Sequence, residues 1–503
     1  MPTIATVFRK VLVANRGEIA LRVLRTCREL GIPTVAVYSE ADRGALHARA
    51  ADEAVLLGPA PPRESYLRID RLIEVARETG AEAVHPGYGF LAENAGFAAR
   101  CEEERLVFVG PPSKAMRAMG DKLSARRAME KAKVPFVPGT VEPLADARAA
   151  AAAAERFGYP VALKAAAGGG GKGIRVVRDP SGLEGAFRTG SGEAAGAFGD
   201  GRLYLEKYLE APRHVEVQIL ADAHGRCVAL GERECTIQRR HQKLIEETPS
   251  PALDEATRRA MEETAVRAAT AVGYVNAGTV EFLLQEGRFY FLEMNTRLQV
   301  EHPVTEFVTG LDLVAEQLRI AAGGKLPFPP GGVKRRGHAI EVRVNAEDPD
   351  AGFVPSTGVV RDLRLPSGPW VRVDSALFAG QEVTLHYDPI LAKVIVWAPT
   401  RPEAIARMER ALGELHVGGV RTGAPLALAV LRDPRFRAGD FDTHFLERFD
   451  PPRDPARDEI ASVLAAVWRH RKRSRGAGRA EHADGLSPWT LLGRGDRQRR
   501  VRP

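Results

Sequence analysis

Residues 291–302 read "FLEMNTRLQVEH", with polar side chains at every second position from Glu293 to Glu301. Side chains in a β-strand alternate between its two faces, so this spacing predicts an extended segment with one polar face. The stretch closes a longer run, residues 279–302, in which two strand-like pieces flank the tight turn "QEGR". Such a pattern is typical of a β-hairpin.

We expect this hairpin to carry a cluster of oxygen ligands. Glu293 and Asn295 share one face of the second strand, and Glu281 joins them if the first strand points the same way. Carboxylate and amide oxygens suit Mg²⁺ that shares its coordination sphere with nucleotide phosphates. The alternative is a salt-bridged, solvent-facing surface around Arg297. The neighbouring Phe291 favours a buried hairpin, where carboxylates need a partner or a metal.

Three charged residues extend this chemistry. Arg297 and Glu301 continue the same segment, and Arg343 lies in the strand-like "EVRVNAE". A guanidinium can hold a small planar anion such as bicarbonate through two hydrogen bonds, and a nearby carboxylate can take a proton from it. Taken alone, an arginine such as Arg343 is more often a surface residue.

A glycine run separates two strand-like stretches in "YPVALKAAAGGGGKGIRVV". Four consecutive glycines let backbone N–H groups approach an anion, and Lys164 adds a positive charge at the end of the first strand. This is not a P-loop, because GxxxxGK[ST] must open a helix and here a strand follows. A flexible hairpin is the alternative; Lys164 and Lys172 favour a loop over nucleotide phosphates.

Two further stretches each allow two interpretations. In residues 203–219 the polar His214, Glu216 and Gln218 alternate with apolar residues, as they also would in a half-buried strand without a function. Residues 231–247 crowd Gln238, Arg239, Arg240, His241 and Lys243 into six positions. This cluster is either a solvated basic loop or a site for an oxyanion.

The pattern of elements predicts a multidomain α/β and α+β chain. Residues 1–115 alternate strands and helices, as in a Rossmann-like parallel α/β domain, but their first turn holds Gly17 rather than GxGxxG, which argues against a dehydrogenase. Residues 116–332 form a second domain that ends at the Pro- and Gly-rich 326–337. Residues 333–449 are rich in β-type alternation, with one evident helix, "RPEAIARMERALGEL".

Composition excludes several classes of protein. Of 503 residues, 44% are hydrophobic and 27% charged, and no run reaches the roughly 18 apolar residues of a membrane helix. No signal peptide opens the chain, so a cytoplasmic protein is expected. The four cysteines lack zinc-ligand spacing. Residues 447–503 carry 14 Lys and Arg against 8 Asp and Glu, so most of the net charge of +7 lies there, and nucleic-acid binding is not indicated.

From about Phe8 to Phe449 the chain resembles biotin carboxylase, the ATP-grasp component of biotin-dependent carboxylases. The stretches that carry the resemblance are "VANRGEIA", "HPGYGFLAEN", "MGDK", "YPVALKAAAGGGGKG", "EKYLEAPRHVEVQ", "GERECTIQRRHQK", "FLEMNTRLQVEHPVTE" and "HAIEVRVNAED". The resemblance implies a pre-ATP-grasp domain, an ATP-grasp domain with a mobile glycine-rich lid at about 134–207, and a C-terminal β-rich domain. It also implies a reaction in which ATP, bicarbonate and carrier-bound biotin give ADP, phosphate and carboxybiotin.

The resemblance also assigns roles to residues. It places Lys122, Lys164, Gly170, Gly171, His214 and His241 at ATP, with Glu206, Lys207, Tyr208 and Leu209 lining the adenine pocket. It makes Glu281, Glu293 and Asn295 the ligands of two Mg²⁺ or Mn²⁺ ions. Bicarbonate would be held by Lys243, Arg297 and the backbone of Val300, with Glu301 as its base. Arg343 would stabilise the biotin enolate, with Tyr88 and Gln238 near the ureido ring.

Residues 450–503 exceed a stand-alone subunit of this family, and we expect a basic linker or partly disordered tail. Its "SPWTLLGR" is similar to a segment of multidomain acyl-CoA carboxylase α chains, but no biotinyl "MKM" motif follows. The expected partners are therefore a separate biotin carboxyl carrier protein and a carboxyltransferase, with homodimerisation a family expectation. The alternatives are another ATP-grasp ligase and an inactive nucleotide-binding subunit.

Overall fold

The computed structural model describes residues 8–166, 173–240, 242–328, 333–451, 460 and 462–471. The chain forms two compact units, residues 1–449 and 450–503. In the second unit, residue 460 and residues 462–471 are helical, residues 450 and 451 have no regular structure, and the rest of the predicted linker lies outside the described residues. Among the described residues, no helix is long and apolar enough to span a membrane.

The N-terminal part is a parallel sheet with crossover helices, as predicted. Its strands are β1 Val11–Val13, β2 Thr34–Ser39, β3 Glu53–Gly58, β4 Ala83–His85 and β5 Val107–Phe108, in the spatial order β3-β2-β1-β4-β5. Its helices are α1 Gly17–Glu29, α2 Leu46–Ala50, α3 Ile69–Thr79, α4 Ala95–Glu103 and α5 Ser113–Gly120. Gly17 has φ +66°, a conformation that favours glycine, so the chain leaves β1 and enters α1 within a few residues.

A small three-stranded sheet carries the glycine run. It consists of β6 Val161–Ala165, β7 Ile174–Val177 and β8 Leu203–Lys207, in the order β7-β6-β8, after α6 Lys122–Lys131 and with α7 Ala147–Phe157 and α8 Leu183–Phe198. Strands β6 and β7 pair antiparallel, so the glycine run joins two neighbouring strands as the sequence predicts. The run itself, including Gly170 and Gly171, lies outside the described residues.

An eight-stranded antiparallel sheet dominates the rest of the first unit. Its members are β9 Arg213–Ala221, β10 Cys227–Arg239, β11 Gln242–Thr248, β12 Asn276–Gln285, β13 Arg288–Asn295, β14 His338–Asn345, β19 Val371–Ser375 and β21 Ile390–Ala398. Their order is β13-β12-β9-β10-β11-β14-β21-β19. Strand β11 precedes the Pro- and Gly-rich junction at 326–337 and β14 follows it, yet the two strands pair directly. Strands on both sides of the junction therefore belong to one sheet.

Helices and short strands complete this unit. The helices are α9 Glu255–Ala271, α10 His302–Thr309, α11 Leu313–Ala321, α12 Arg401–Glu414, α13 Ala424–Arg432 and α14 Pro434–Ala438. The short strands are β15 Glu347–Asp348, β16 Val354–Pro355, β17 Gly358–Val359, β18 Asp362–Arg364, β20 Glu382–Val383 and β22 His416–Gly418. The one evident helix of this region is α12; α13 and α14, which the sequence pattern did not reveal, follow it, and their apolar residues join the core cluster of β14 and β21.

Candidate active site

The predicted hairpin is confirmed. Strands β12 and β13 pair antiparallel, with Glu281 directly opposite Glu293 and Thr279 opposite Asn295. The Asn295 amide donates a hydrogen bond of 2.8 Å to Glu281 Oε1. Because facing residues of antiparallel strands lie side by side, the three predicted oxygen ligands come together.

The expectation of one extended segment as far as Glu301 was wrong. Strand β13 ends at Asn295, and α10 begins at His302 with Pro303 in its first turn. The backbone leaves the sheet where the Thr296 N–H donates to the carboxylate of Glu93, at 2.9 Å. Arg297 and Glu301 therefore reach the site from a turn and a helix start rather than from alternating strand positions.

Lys243 lies at the centre of the buried charges. Its ammonium donates to Glu216 Oε2 at 2.6 Å, to Glu281 Oε1 at 3.0 Å and to Glu301 Oε1 at 2.5 Å. Burial lowers the pKa of Lys243, but Cys235 and these carboxylates hold it well above its usual value. The lysine thus remains an ammonium that links the hairpin carboxylates to Glu301.

Glu301 is fully buried between two cations. Arg343 Nη2 lies 2.8 Å from its second carboxylate oxygen, and Arg343 Nε donates to Glu246 at 2.6 Å. Burial alone would raise the pKa of Glu301, but Lys243 and Arg343 hold it well below the usual value. The residue is therefore a carboxylate, fixed in position and able to accept a proton.

Arg297 lies at the end of the hairpin with its guanidinium held on several sides. It donates to Gln299 Oε1 at 2.8 Å and to Asn295 Oδ1 at 3.2 Å, and its Nε is 3.1 Å from Glu93 Oε2. Burial lowers its pKa, but Glu93, Glu301 and other carboxylates raise it above the usual value. A permanently charged group in a fixed orientation beside Asn295 suits recognition of a planar anion.

Two residues from the ambiguous stretches also reach this cluster. His214 Nε2 is 2.9 Å from Glu281 Oε2, and Gln238 Nε2 is 3.3 Å from His214 Nδ1. Both side chains are buried. The alternating polar side chains of residues 203–219 therefore lie at the site. In a half-buried strand without a function, they would instead face solvent.

The remaining predicted residues surround this core. The Val300 carbonyl accepts a hydrogen bond of 2.8 Å from Lys393, whose ammonium is 5.7 Å from the centre of the Tyr88 ring. Lys122 begins α6, and burial lowers its pKa against the opposing charge of Glu293. His241 lies outside the described residues.

On the small sheet, Lys164 and Glu206 form an ion pair, and Arg126 pairs with the same carboxylate. The Lys207 ammonium donates to two backbone carbonyls at 2.8 and 3.0 Å, so it is engaged within this part of the chain. The Tyr208 hydroxyl lies 3.5 Å from His444 Nε2, and Leu209 is half-buried. The buried Glu206 carboxylate is thus shared by the buried Arg126 and the half-buried Lys164.

The side chains present fit a divalent cation. Glu293 is half-buried, and among the described residues its side chain makes no hydrogen bond and no ion pair. Burial and the charge of Glu281 opposite raise its pKa. Two carboxylates side by side in a low-dielectric site repel each other unless a cation is shared, and oxygen donors are those Mg²⁺ prefers.

Sequence reasoning missed several members of the cluster. Glu216 is fully buried and bonded to Lys243 and to Arg233, and Glu246 is bonded to Arg343. The alternation "HVEVQ" could have signalled Glu216, had burial on both faces been known. Glu93 had no local signal, because it meets Thr296 and Arg297 only through the tertiary fold.

The fold and this site define an ATP-grasp carboxylase. Residues 7–116 match the family described as "Biotin carboxylase, N-terminal domain", residues 121–328 match "Carbamoyl-phosphate synthase L chain, ATP binding domain", and residues 341–448 match "Biotin carboxylase C-terminal domain". The chain is 52% identical to Biotin carboxylase 1 of Bacillus subtilis over 88% of this chain and 99% of that one. The chain belongs to the biotin carboxylase family.

Two further relatives are informative. The biotin carboxylase domain dimer of Hydrogenobacter thermophilus 2-oxoglutarate carboxylase, solved with MgADP, ADP and bicarbonate, superposes with a TM-score of 0.84 at 49% identity, over 88% of this chain and 97% of that one. The propionyl-CoA carboxylase alpha chain of Ruegeria pomeroyi is 48% identical over 94% of this chain and 74% of that one. The second match covers more of this chain than the first, and so extends beyond the part shared with the stand-alone carboxylases.

Proposed function

We propose that this protein carboxylates biotin carried on a separate carrier protein, using ATP and bicarbonate, as the first half-reaction of an acetyl-CoA or other acyl-CoA carboxylase. The observation that carries the proposal is the buried chain of contacts from the Glu281–Glu293 pair through Lys243 to Glu301 and Arg343. It supports a nucleotide-metal site, an anion site and a base that lie next to one another.

Bicarbonate would bind between Lys243, Arg297 and the Val300 backbone. Lys243 is held by buried carboxylates, and Arg297 is held by the side chains of Gln299, Asn295 and Glu93, so both cations are oriented before the anion arrives. Glu301, kept ionised by Lys243 and Arg343, is suited to remove the bicarbonate proton. Deprotonation makes the oxygen a better nucleophile towards the γ-phosphorus of ATP.

ATP would bind through Lys122, Lys164, His214 and His241, with Gly170 and Gly171 over its phosphates and residues 206–209 at the adenine. Glu281, Glu293 and Asn295 would hold one or two Mg²⁺ or Mn²⁺ ions, which neutralise phosphate charge during transfer. Attack by bicarbonate oxygen on the γ-phosphorus breaks the bond to ADP and gives carboxyphosphate.

Carboxyphosphate then separates into CO₂ and phosphate, and the released phosphate takes the proton from biotin N1. The ureido oxygen becomes an enolate, which Arg343 would stabilise, with Tyr88 and Gln238 near the ring. The biotin nitrogen adds to CO₂ and gives carboxybiotin. Because water would destroy carboxyphosphate, the glycine run between β6 and β7 is proposed as a lid that closes over the site.

We propose a biotin carrier protein and a carboxyltransferase as partners. Relatives named as a subunit or an alpha chain of larger carboxylases support this proposal. The match to an acyl-CoA carboxylase alpha chain that reaches beyond the shared body makes the tail a candidate docking segment. A homodimer is proposed from the dimeric relative. The cytoplasmic location stays a prediction.

The experiment that tests the function is ATP hydrolysis by the purified protein with bicarbonate, with and without free biotin or biotinylated carrier. We expect biotin to stimulate release of phosphate, with carboxylated biotin as product. Hydrolysis that biotin does not stimulate, but an amine acceptor does, would favour another ATP-grasp ligase. No hydrolysis under any of these conditions would favour an inactive nucleotide-binding subunit.

A further inference from the structure

Lys393 is a fully buried lysine that the proposed reaction does not use. It lies in the middle of β21 with 0% exposure. Its ammonium donates to the Val300 carbonyl at 2.8 Å and lies 3.4 Å from Glu18 Oε1 and 3.8 Å from Asp374 Oδ2. Burying an ammonium is costly unless such partners compensate, so its position requires this set of contacts.

The partners of Lys393 come from three different parts of the fold. Glu18 lies in the first turn of α1 beside the N-terminal sheet, Val300 in the turn between β13 and α10, and Asp374 in β19. The Tyr88 ring, which follows β4, has its centre 5.7 Å from the same ammonium. The Lys393 ammonium thus lies next to the N-terminal domain, the turn between β13 and α10 that contains Val300, and the C-terminal strands.

The charge on Lys393 is maintained by acids around it. Burial lowers its pKa, but Glu18, Glu341 and Asp374 together raise it above the usual value. Arg372 also binds Asp374 at 2.7 and 2.8 Å, whereas the Glu18 carboxylate makes no hydrogen bond among the described residues. Burial raises the pKa of Glu18 to about 7 against the opposing charge of Lys393, which lies 3.4 Å from this carboxyl group.

The turn at Val300 and Glu301 is held from two sides. Lys243 and Arg343 fix the Glu301 side chain, and Lys393 fixes the carbonyl of the residue before it. Because a peptide group is planar, a hydrogen bond to the Val300 carbonyl restrains the whole peptide group that joins Val300 to Glu301. The peptide between Val300 and Glu301 is thereby oriented, and with it the Glu301 carboxylate.

We propose that Lys393 is a positioning residue that orients the Val300–Glu301 turn for bicarbonate binding. Through the Tyr88 ring, it also fixes the position of that turn relative to the residues proposed to bind biotin. The inference rests on the proposed function. It predicts that Lys393 acts on bicarbonate use and biotin-dependent turnover, and leaves ATP binding alone.

The test uses three full-length variants. Lys393→Met removes the ammonium and leaves Glu18 without its cation, so we expect a loss of stability as well as of activity. Lys393→Met/Glu18→Gln removes both charges and is expected to recover much of the melting temperature. Lys10→Met is the matched control, because the Lys10 ammonium also donates to a carboxylate and a backbone carbonyl, each at 2.6 Å, away from the site.

The readouts are kcat and the KM values for bicarbonate and ATP in biotin-dependent hydrolysis. For the double variant we expect a bicarbonate KM raised about tenfold or a kcat lowered about tenfold, because small misplacements of reacting groups have large effects, and an ATP KM within about twofold. Lys10→Met should match the wild type. If Lys393→Met yields no folded protein, the double variant decides.

Wild-type kinetics in the folded double variant would overturn the inference and make Lys393 a structural lysine only. An equal rise in the ATP and bicarbonate KM values would overturn it as well, since that indicates general disorder of the site. A wild-type protein without biotin-dependent turnover would overturn the proposed function and this inference together.

Discussion

The ammonium of Lys243 and the carboxylate of Glu301 lie 2.5 Å apart, although they belong to a strand and a helix start that are 58 residues apart in the chain. The contact keeps Glu301 ionised in a fully buried position. The pair thus holds the proposed base unprotonated and oriented, and the lowered pKa also makes Glu301 a weaker base than an ordinary glutamate.

Replacing Glu301 by Gln should therefore remove the base and keep its shape. We expect kcat for biotin-dependent ATP hydrolysis to fall by about 10² to 10⁴, the usual contribution of a general base, with little change in the ATP KM. Steady-state kinetics measure this directly. Glu263→Gln, on an exposed position of α9, is the control. A Glu301→Gln enzyme that keeps more than about a third of the wild-type kcat would refute the role of base.

Replacing Arg297 by Ala should nearly abolish turnover and spare nucleotide binding. Its guanidinium is proposed to hold bicarbonate, and a bidentate charged contact is among the stronger hydrogen-bonding arrangements. The measurements are ATP affinity by titration calorimetry and turnover with saturating bicarbonate. Arg288→Ala is the matched control, because Arg288 begins β13, the strand that precedes Arg297, and is exposed. An unchanged rate in Arg297→Ala contradicts the assignment.

Replacing Glu206 by Ala should destabilise the protein and weaken ATP binding. Glu206 is buried and paired with both Arg126 and Lys164, so its loss leaves two cations without their carboxylate. Breaking a buried pair typically costs about 3 to 5 kcal/mol. Urea unfolding and the ATP KM report the two effects.

The matched control is Glu142→Ala, which breaks the exposed pair with Arg127 at 3.2 Å. An exposed ion pair contributes about 0 to 1 kcal/mol, so this variant should unfold almost as the wild type does. Equal losses of stability in the two variants would show that burial of Glu206 is not what makes its contacts strong.

Protonation of His85 should reduce stability at low pH. The ring is fully buried, its Nδ1 accepts a hydrogen bond from the Gly87 N–H at 3.1 Å, and burial lowers its pKa from 6.5 to about 4. The unfolded chain takes up a proton below pH 6.5 and the folded chain does not. Stability from this group is therefore complete above pH 6.5 and is lost as the pH falls towards 4.

The measurement is the free energy of unfolding in urea at pH 7 and pH 5, compared between wild type and His85→Gln. We expect the wild type to lose about 2 kcal/mol more than the variant over this interval. Identical pH dependence in the two proteins would show that His85 is protonated equally in the folded and unfolded states.

Local periodicity predicted the parts of the site that lie on paired strands. The turn "QEGR" and a period of two were enough to bring Glu281, Glu293 and Asn295 together, because consecutive strands of a hairpin are neighbours. The Lys243–Glu301 contact could not be predicted from local periodicity. It depends on β9 lying between β12 and β10, a strand order that no local pattern encodes.

Turns and helix starts were the other source of error. Residues 296–301 alternate polar and apolar side chains as a strand does, yet their backbone turns towards Glu93 and into α10. The same alternation in residues 213–219 belongs to a strand buried on both faces, where polar side chains meet other buried charges. Period alone does not distinguish these cases.

The uninterrupted sheet across the 326–337 junction has a consequence for recombination between related carboxylases. A crossover at the junction would set a foreign β14, β21 and β19 against the original β11, and would pair a foreign Arg343 with the original Glu246 and Glu301. Chimeras that exchange residues 209–449 as one block keep these pairs from a single parent. The unit to exchange is therefore the whole sheet, although the matched family domains end at residue 328 and begin again at residue 341.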